Sequence, residues 1–333
     1  MLSHFNLDGN GDLSIITFRT EAEWLSYRQE GIGGSDAAAV MGISKYKSPL
    51  RVYKEKLGLV QEDQSDNVFI KKGKDLEALI RDQYVAPHMF EKGYFVRHPE
   101  FMIRNATCPW LIANLDGIAV PIDPLGKTFT DNIVIEIKWV SEYAESNWFG
   151  DEYCGIPANY YAQVQHYMTV TGASKAIVCA LFDRNWTMHY FEVPYDIKFA
   201  VQMLKDTGNF YNNNLARKVP PRLMPSLDKE EVLDKLLNPP VTYTQSHEME
   251  CKCASYTMYK EQIKELEKAA NALHDEIIAM YCEGYIPERS FRVTASKRTR
   301  TSVDSKKLEE EYPDAYEACK TESEYAVHTI RKR

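Results

Sequence analysis

No apolar run in this chain approaches the roughly 20 residues of a membrane-spanning helix. The opening stretch, MLSHFNLDGNGDLSII, lacks both a basic start and a sustained apolar core, so it does not read as a secretory signal. Cysteine is sparse: seven residues, an odd number at irregular spacings. That fits a reducing cytoplasm better than a disulfide framework. Positive charge is in deficit, and the net charge is −8. A general attraction to nucleic acid is excluded, and any such site must be a local basic channel in an acidic protein. What remains is the composition of a soluble globular chain, long enough for one large domain or two modest ones.

The most informative stretch runs from Leu111 to Val140. It reads LIANLDGIAV, a break from Pro121 to Asn132, then IVIEIKWV. Ile133, Ile135 and Ile137 alternate with Val134, Glu136 and Lys138, the period of a strand. The break predicts a turn joining two strands. Glu136 and Lys138 then share a face. A paired strand would bring Asp116 beside them. Carboxylates hold hard divalent cations through oxygen. Two such ions can clamp the attacking and leaving oxygens of an in-line displacement. A lysine can orient a metal-bound water and offset developing charge. The competing reading is the solvated face of an amphipathic hairpin, since E-x-K is common in strands.

Asp8 to Asp12 (DGNGD) resembles a calcium loop, but Leu13 and Arg19 occupy the required glycine and glutamate positions, which leaves a turn. Thr20 to Glu30 predicts a helix with a Thr20/Glu23 capping box and Arg28 near its end. Gly31-Ile32-Gly33-Gly34-Ser35-Asp36 then opens the small-residue helix AAAVMG. Such a turn can present N–H groups and a hydroxyl to an anion, or be a plain turn with an N-cap at Ser35 or Asp36. It is no P-loop, because no Gly-Lys-Ser/Thr follows. Further helices are predicted from Pro49 to Gly58, Lys71 to Tyr84, Ile156 to Gly172 and Asp196 to Tyr211. In the second of these, Leu76, Leu79, Ile80 and Tyr84 form the expected buried stripe, with Glu77 at its edge. Glu77 either leans into a cleft or stays on the surface. In the third, Gln163 sits among Tyr160, Val164 and Tyr167, as a core hydrogen bond or within reach of an active-site water. Glu91 to Arg104 reads as a strand pair, and AIVCALF with TMHYFEV as two paired strands.

The prolines between Val219 and Pro240 predict a linker. Three regions follow: a domain at 1–218, a linker at 219–241 and an accessory region at 242–333. In the last, Tyr256, Tyr259, Ile263, Leu266, Ala270, Leu273, Ile277 and Met280 step by three and four along one long helix. That seam calls for a second helix or another subunit. Beyond it come a strand at FRVTA, the basic KRTRT, a helix from Asp304 to about Lys320 and a final strand YAVHTIRKR. Lys297, Arg298, Arg300 and Arg331 to Arg333 either touch DNA backbone or form a solvated basic face. Cys251, Cys253, Cys282 and Cys319 match no metal-ligand spacing.

Taken in order, Arg28, Gly33-Gly34-Ser35-Asp36, Glu77, Asp116-Gly117, Glu136-Ile137-Lys138 and Tyr160-x-x-Gln163-x-Gln165 resemble the YqaJ-type viral recombinases. These stand with phage lambda exonuclease in the PD-(D/E)xK nuclease superfamily. The likeness covers about residues 20 to 215, and GIGGSDAAAVMGISKYKSPLRVYKEKLG carries it most strongly. It implies an α/β (α+β) fold: a restriction-endonuclease-like core with a central mixed sheet flanked by helices. It implies 5′→3′ degradation of one strand of linear double-stranded DNA, leaving 3′ overhangs for recombination by strand annealing. By the same resemblance Glu77, Asp116, Glu136 and the Ile137 carbonyl bind Mg²⁺ (or Mn²⁺), two ions per site. Lys138 positions the nucleophilic water, Gln163 assists, and Arg28 and Ser35 hold the 5′-terminal phosphate. The implied partners are duplex ends, a single-strand annealing protein and further copies of the chain in a trimer. The implied setting is the cytoplasm of a phage's bacterial host. The region after Pro240 has no counterpart in lambda exonuclease. Alternatives are an endonuclease or single-strand nuclease of the same superfamily, or an inert DNA-binding or assembly protein.

Overall fold

The computed structural model describes residues 13–60, 68–123, 131–238, 244–289, 291–294 and 304–321. The alternating segment forms strand β6 (Ile133–Val140), and its register fixes the main sheet. Five strands lie in the order β2 (Tyr94–Arg97), β5 (Gly117–Pro121), β6, β7 (Lys175–Phe182) and β8 (Thr187–Pro194). The β6–β7 pair is parallel and the other pairs are antiparallel, so the sheet is mixed as expected. A parallel neighbour needs a crossover, and helix α6 (Ala158–Thr171) supplies it. Gly172 (φ 76°) closes α6 in the left-handed conformation that glycine adopts without steric cost.

Both faces of the sheet are covered. Ile133, Ile135 and Ile137 pack against Ile80, Val85 and Met89. Val134 and Val140 face a second core that includes Ile32, Val164 and Met168. The residues under the first face come from α4 (Val68–Ile80), a π-helical turn at Arg81–Val85 and α5 (Ala86–Glu91). This run differs from the single predicted helix at 71–84. Leu79 is 43% exposed, and from the wider turn onward, where the helical phase changes, Val85 and Met89 are buried. Helix α1 (Glu21–Gln29) begins at Thr20, whose hydroxyl accepts the Glu23 N–H. Helix α3 (Pro49–Lys56) begins at the Ser48 cap with Pro49 at its first position, and α7 (Ile197–Phe210) begins at the Asp196 cap.

Two strand expectations are corrected. Glu91 to Arg104 does not form a pair: β2 joins the main sheet, whereas β3 (Phe101–Asn105) joins a small sheet with β1 (Leu13–Thr17) and β4 (Ile112–Ala113). The block LIANLDGIAV is likewise divided, with β4 in one sheet and β5 in the other. Asn114, Leu115 and Asp116 bridge the change of sheet.

The chain divides into two compact units, Met1–Val232 and Leu233–Arg333. The stretch read as a linker carries helix α8 (Lys229–Leu237). Just before it Asp228 is buried, accepting hydrogen bonds from the Ser48 hydroxyl and the Met224 N–H, and Glu231 pairs with Lys54. In the second unit, α9 (His247–Cys282) has no buried residue. The helix expected from Asp304 to Lys320 is two helices, α10 (Ser305–Glu311) and α11 (Pro313–Cys319). Pro313 cannot continue the first helix but can open the second. No strand is assigned at 291–294. The DGNGD turn, KRTRT and the YAVHTIRKR strand lie outside the described residues. Among the described residues no helix is long and apolar enough to cross a membrane.

Candidate active site

Strand β5 pairs with β6 only from Ala119↔Ile133 to Gly117↔Ile135. One residue before Gly117 the chain turns to the other sheet, and the Asp116 side chain replaces the missing backbone partner. Its Oδ2 accepts the Ile137 N–H at 2.8 Å. The divergence of two strands therefore places a carboxylate beside Glu136, Ile137 and Lys138. Glu136 is fully buried, one of its oxygens accepts from Lys138 Nζ, and its Oε2 is buried with no hydrogen-bond partner. Lys138 lies over the Tyr160 ring, 5.2 Å from its centre.

Glu77 is half-buried on α4. Burial first and the Asp116 charge second raise its pKa to about 7, against the pull of Lys138. The same two causes raise Glu136 to about 8, again opposed by Lys138. Lys138 is held above the usual lysine range: burial acts against its charge, but Glu136 and Asp116 outweigh it. Burial first, and an excess of negative over positive charge second, thus keep protons on these carboxylates near neutral pH. Their donor chemistry, all oxygen with an unpartnered buried Oε2, suits a hard divalent cation. Among the described residues, however, no three His, Cys, Asp or Glu side chains already converge as a metal centre. Asp116 is turned onto the Ile137 N–H and Glu136 onto Lys138. An ion would have to draw both away from these local donors.

The glycine-rich turn builds a second cluster. Helix α2 (Gly34–Val40) is capped by Gly33, not by Ser35 or Asp36 as the sequence suggested. Asp36 accepts the Gly33 N–H at 3.2 Å. Asp36 is buried between Lys56 at 2.7 Å and Lys47 at 2.9 Å. Burial works to raise its pKa, but Lys56, Lys47 and Arg28 hold it well below the usual carboxylate range. Arg28 lies over Trp24 and reaches the exposed Ser35 hydroxyl at 3.5 Å. Arg28, Asp36, Glu55 and Lys56 line a pocket of about 270 Å³.

Helix α6 lies close to both clusters. A Cβ on Gly34 would stand 2.5 Å from the Tyr167 ring, so only glycine permits this approach of α2 to α6. Gln163 donates to the Tyr167 hydroxyl at 3.0 Å. Burial, then the charges of Glu136 and Asp116, hold that hydroxyl well above the usual tyrosine range. Gln165 is structural: it donates to the Pro194 carbonyl and accepts the Asp196 N–H. Residue patterns missed Tyr160 as the partner of Lys138, and missed Asp36, Lys47 and Lys56 as an ion cluster. They also missed His98, whose pKa is lowered by burial and Arg81 against the pull of Asp116. Spacing from Asp36 to Lys56 carries no local signal, because the contact depends on how α2 and α3 pack. All seven cysteines are free. Cys251 and Cys253 cannot join Cys282 in one site, since about 29 residues of helix separate them by roughly 43 Å.

Comparison with known proteins adds to this geometry. The uncharacterized protein YqaJ of Bacillus subtilis (strain 168) is 28% identical over 324 residues, 93% of this chain and 94% of that protein. Among solved structures, the alkaline exonuclease LHK-Exo of Laribacter hongkongensis, in complex with dAMP, covers 66% of this chain and all of its own at 20% identity and a TM-score of 0.46. A phage related exonuclease from Haemophilus somnus 129PT covers 59% of this chain and 99% of its own, at 14% identity and a TM-score of 0.40. The family model described as the YqaJ-like viral recombinase domain matches residues 23–174, which span α1 through α6 and hold every candidate site residue named above. Residues 23–174 are thus similar to the YqaJ-like viral recombinase domain.

Proposed function

We propose that this chain is a Mg²⁺-dependent 5′→3′ exonuclease that removes one strand from linear duplex DNA and leaves a 3′ single strand for annealing. The observation that carries this reading is the buried, unpartnered Oε2 of Glu136 beside Asp116, Glu77 and Lys138. A buried oxygen without a partner costs free energy that a cation bound there would recover. Glu77, Asp116, Glu136 and the Ile137 carbonyl would hold the cation. The ion would supply charge neutralisation at the phosphodiester and an activated water. Lys138, kept cationic by its carboxylates, places positive charge where the pentacovalent phosphate develops negative charge. Tyr160 fixes the lysine head and shields it from water. Arg28 beside Ser35 offers a charge-assisted contact to a terminal phosphate. Lys47 and Lys56 neutralise the Asp36 carboxylate beside that contact.

The test uses linear duplex DNA labelled at each 5′ and 3′ end, with and without 5′-phosphate, in Mg²⁺ or EDTA. A covalently closed circle is the control. Early loss of 5′ label from phosphorylated ends in Mg²⁺ alone, with an intact circle, is expected. Arg28→Ala removes the preference for phosphorylated ends. A linearised circle would instead indicate an endonuclease. Absence of metal-dependent cleavage from folded protein would leave a DNA-binding or assembly role.

A further inference from the structure

A pocket of about 320 Å³ lies beside the Lys138 site, and the two share Tyr160, whose ring underlies the lysine and lines the pocket. The nuclease chemistry leaves this pocket unused. Its other aromatic walls are Tyr46, Trp148 and Tyr153. Trp148 is 6% exposed; its ring stands 5.6 Å from that of Tyr160, centre to centre, and is braced by Phe182 and Phe191. Tyr46, in contrast, is 77% exposed. It stands on a turn in which the Ser44 hydroxyl accepts the N–H groups of Tyr46 and Lys47. One residue on, Lys47 pairs with Asp36, which lines the Arg28 pocket. The pocket therefore adjoins the Lys138 site through Tyr160 and connects to the Arg28 cluster through the Ser44–Lys47 turn. Another wall comes from a loop closed by the Phe149 N–H, which donates to the Gly155 carbonyl at 2.7 Å. Within it Phe149, Tyr153 and Cys154 all have positive φ. Residues other than glycine keep that conformation only where the surroundings over-determine it, and such strain gathers at binding sites.

We infer that this pocket receives one base of the cleaved strand, unstacked from the duplex and laid against Tyr46, while the neighbouring phosphodiester lies at Lys138. The assignment of the strand rests on the nuclease reading of Lys138. Charge disfavours a phosphate as the occupant, because Lys45 is outnumbered on the lining by Asp151 and Glu152. A base is uncharged, and its N–H and amino groups suit those carboxylates and the side-chain amides of Asn147 and Asn159. Every base has a π-face, so aromatic walls accept all four without reading sequence. A nuclease that digests a strand from its end requires that tolerance. The volume, at the small end for a ligand pocket, suits one base and not a stacked run. Aromatic and acidic walls would also suit a cationic side chain of a partner protein. The shared ring of Tyr160 selects the base, since a strand bound at Lys138 lies against that same ring.

The test measures binding of 5′-phosphorylated linear duplex in EDTA, by fluorescence anisotropy of a label on the opposite strand. The bases nearest the 5′ end are removed one at a time, with the sugar–phosphate chain left intact. The native chain is compared with Tyr46→Ala and Tyr46→Trp, and circular dichroism checks that the fold is unchanged. Tyr46→Ala is expected to weaken binding of the intact duplex about tenfold, and Tyr46→Trp to restore it. At one position, loss of the base should cost the native chain about tenfold more than it costs Tyr46→Ala. An equal effect of base removal on the two proteins at every position would overturn the assignment and leave the pocket to a cationic side chain. Cleavage in Mg²⁺ is read separately. Coupling between Tyr46 and one base without cleavage supports the base pocket and counts against the nuclease reading alone. Cleavage without that coupling keeps the nuclease and removes the pocket.

Discussion

Lys138 and Glu136 neutralise each other within a site whose negative charge still exceeds its positive charge. Lys138→Met keeps much of the side-chain volume and the packing on Tyr160 but removes the cation. Glu136→Gln keeps the shape and removes one carboxylate charge. Each is expected to reduce cleavage by about 10²–10⁴-fold, measured as initial release of label from a 5′-phosphorylated duplex. Circular dichroism should stay native. Residual activity above one-tenth of the starting rate would remove that residue from the chemistry. The pairing of Glu136 with Lys138 was legible because a strand places every second side chain together. The position of Asp116 was legible only as a consequence of strand pairing. What the residues did not disclose is that Asp116 stands at a change of sheet, where its carboxylate takes over a backbone bond.

At the scale of elements, the contact of α2 with α6 is the joint that sets Ser35 relative to Gln163. Gly34→Ala puts a methyl group into the Tyr167 ring, with Gln163 Cγ 3.0 Å away. Such overpacking costs about 1–3 kcal/mol. A lower urea midpoint with an unchanged slope is the expected outcome, together with slower cleavage. An unshifted midpoint would mean that the two helices separate without cost. Helix starts at Thr20, Ser48 and Asp196 were readable because caps are local chemistry. The assignment of β2 and β3 to different sheets was not readable, since partner choice is set by contacts distant in sequence. Nor was the π turn at Arg81–Val85, which shifts the helical phase so that Val85 and Met89, beyond the predicted end, are buried.

For the whole molecule, two opposing titrations shape stability. His166 is fully buried; its Nε2 bonds the Ile112 carbonyl and its Nδ1 has no partner. Burial lowers its pKa to about 4, with Lys56 assisting and both the Ile112 bond and Asp36 opposing. The unfolded chain therefore takes up this proton first as pH falls. Stability is lost between about pH 6.5 and 4, by up to roughly 3 kcal/mol. In His166→Gln, urea unfolding at pH 7.0, 5.5 and 4.5 should show a flatter decline. Glu77 and Glu136 act in the other direction. Their raised native pKa values mean that the folded chain holds protons the unfolded chain has lost, so stability falls as pH rises from about 4.5 through 7 and 8. A divalent cation competes with those protons. At pH 6.0 it must displace them, whereas at pH 8.5 it meets ionised carboxylates. The gain in Tm from 10 mM Mg²⁺ over EDTA, at the order of concentration that carboxylate sites require, should therefore be larger at pH 8.5 than at pH 6.0. In Glu136→Gln it should shrink at both. An equal gain at the two pH values would place the bound ion away from these carboxylates and separate the electrostatics of the site from its chemistry.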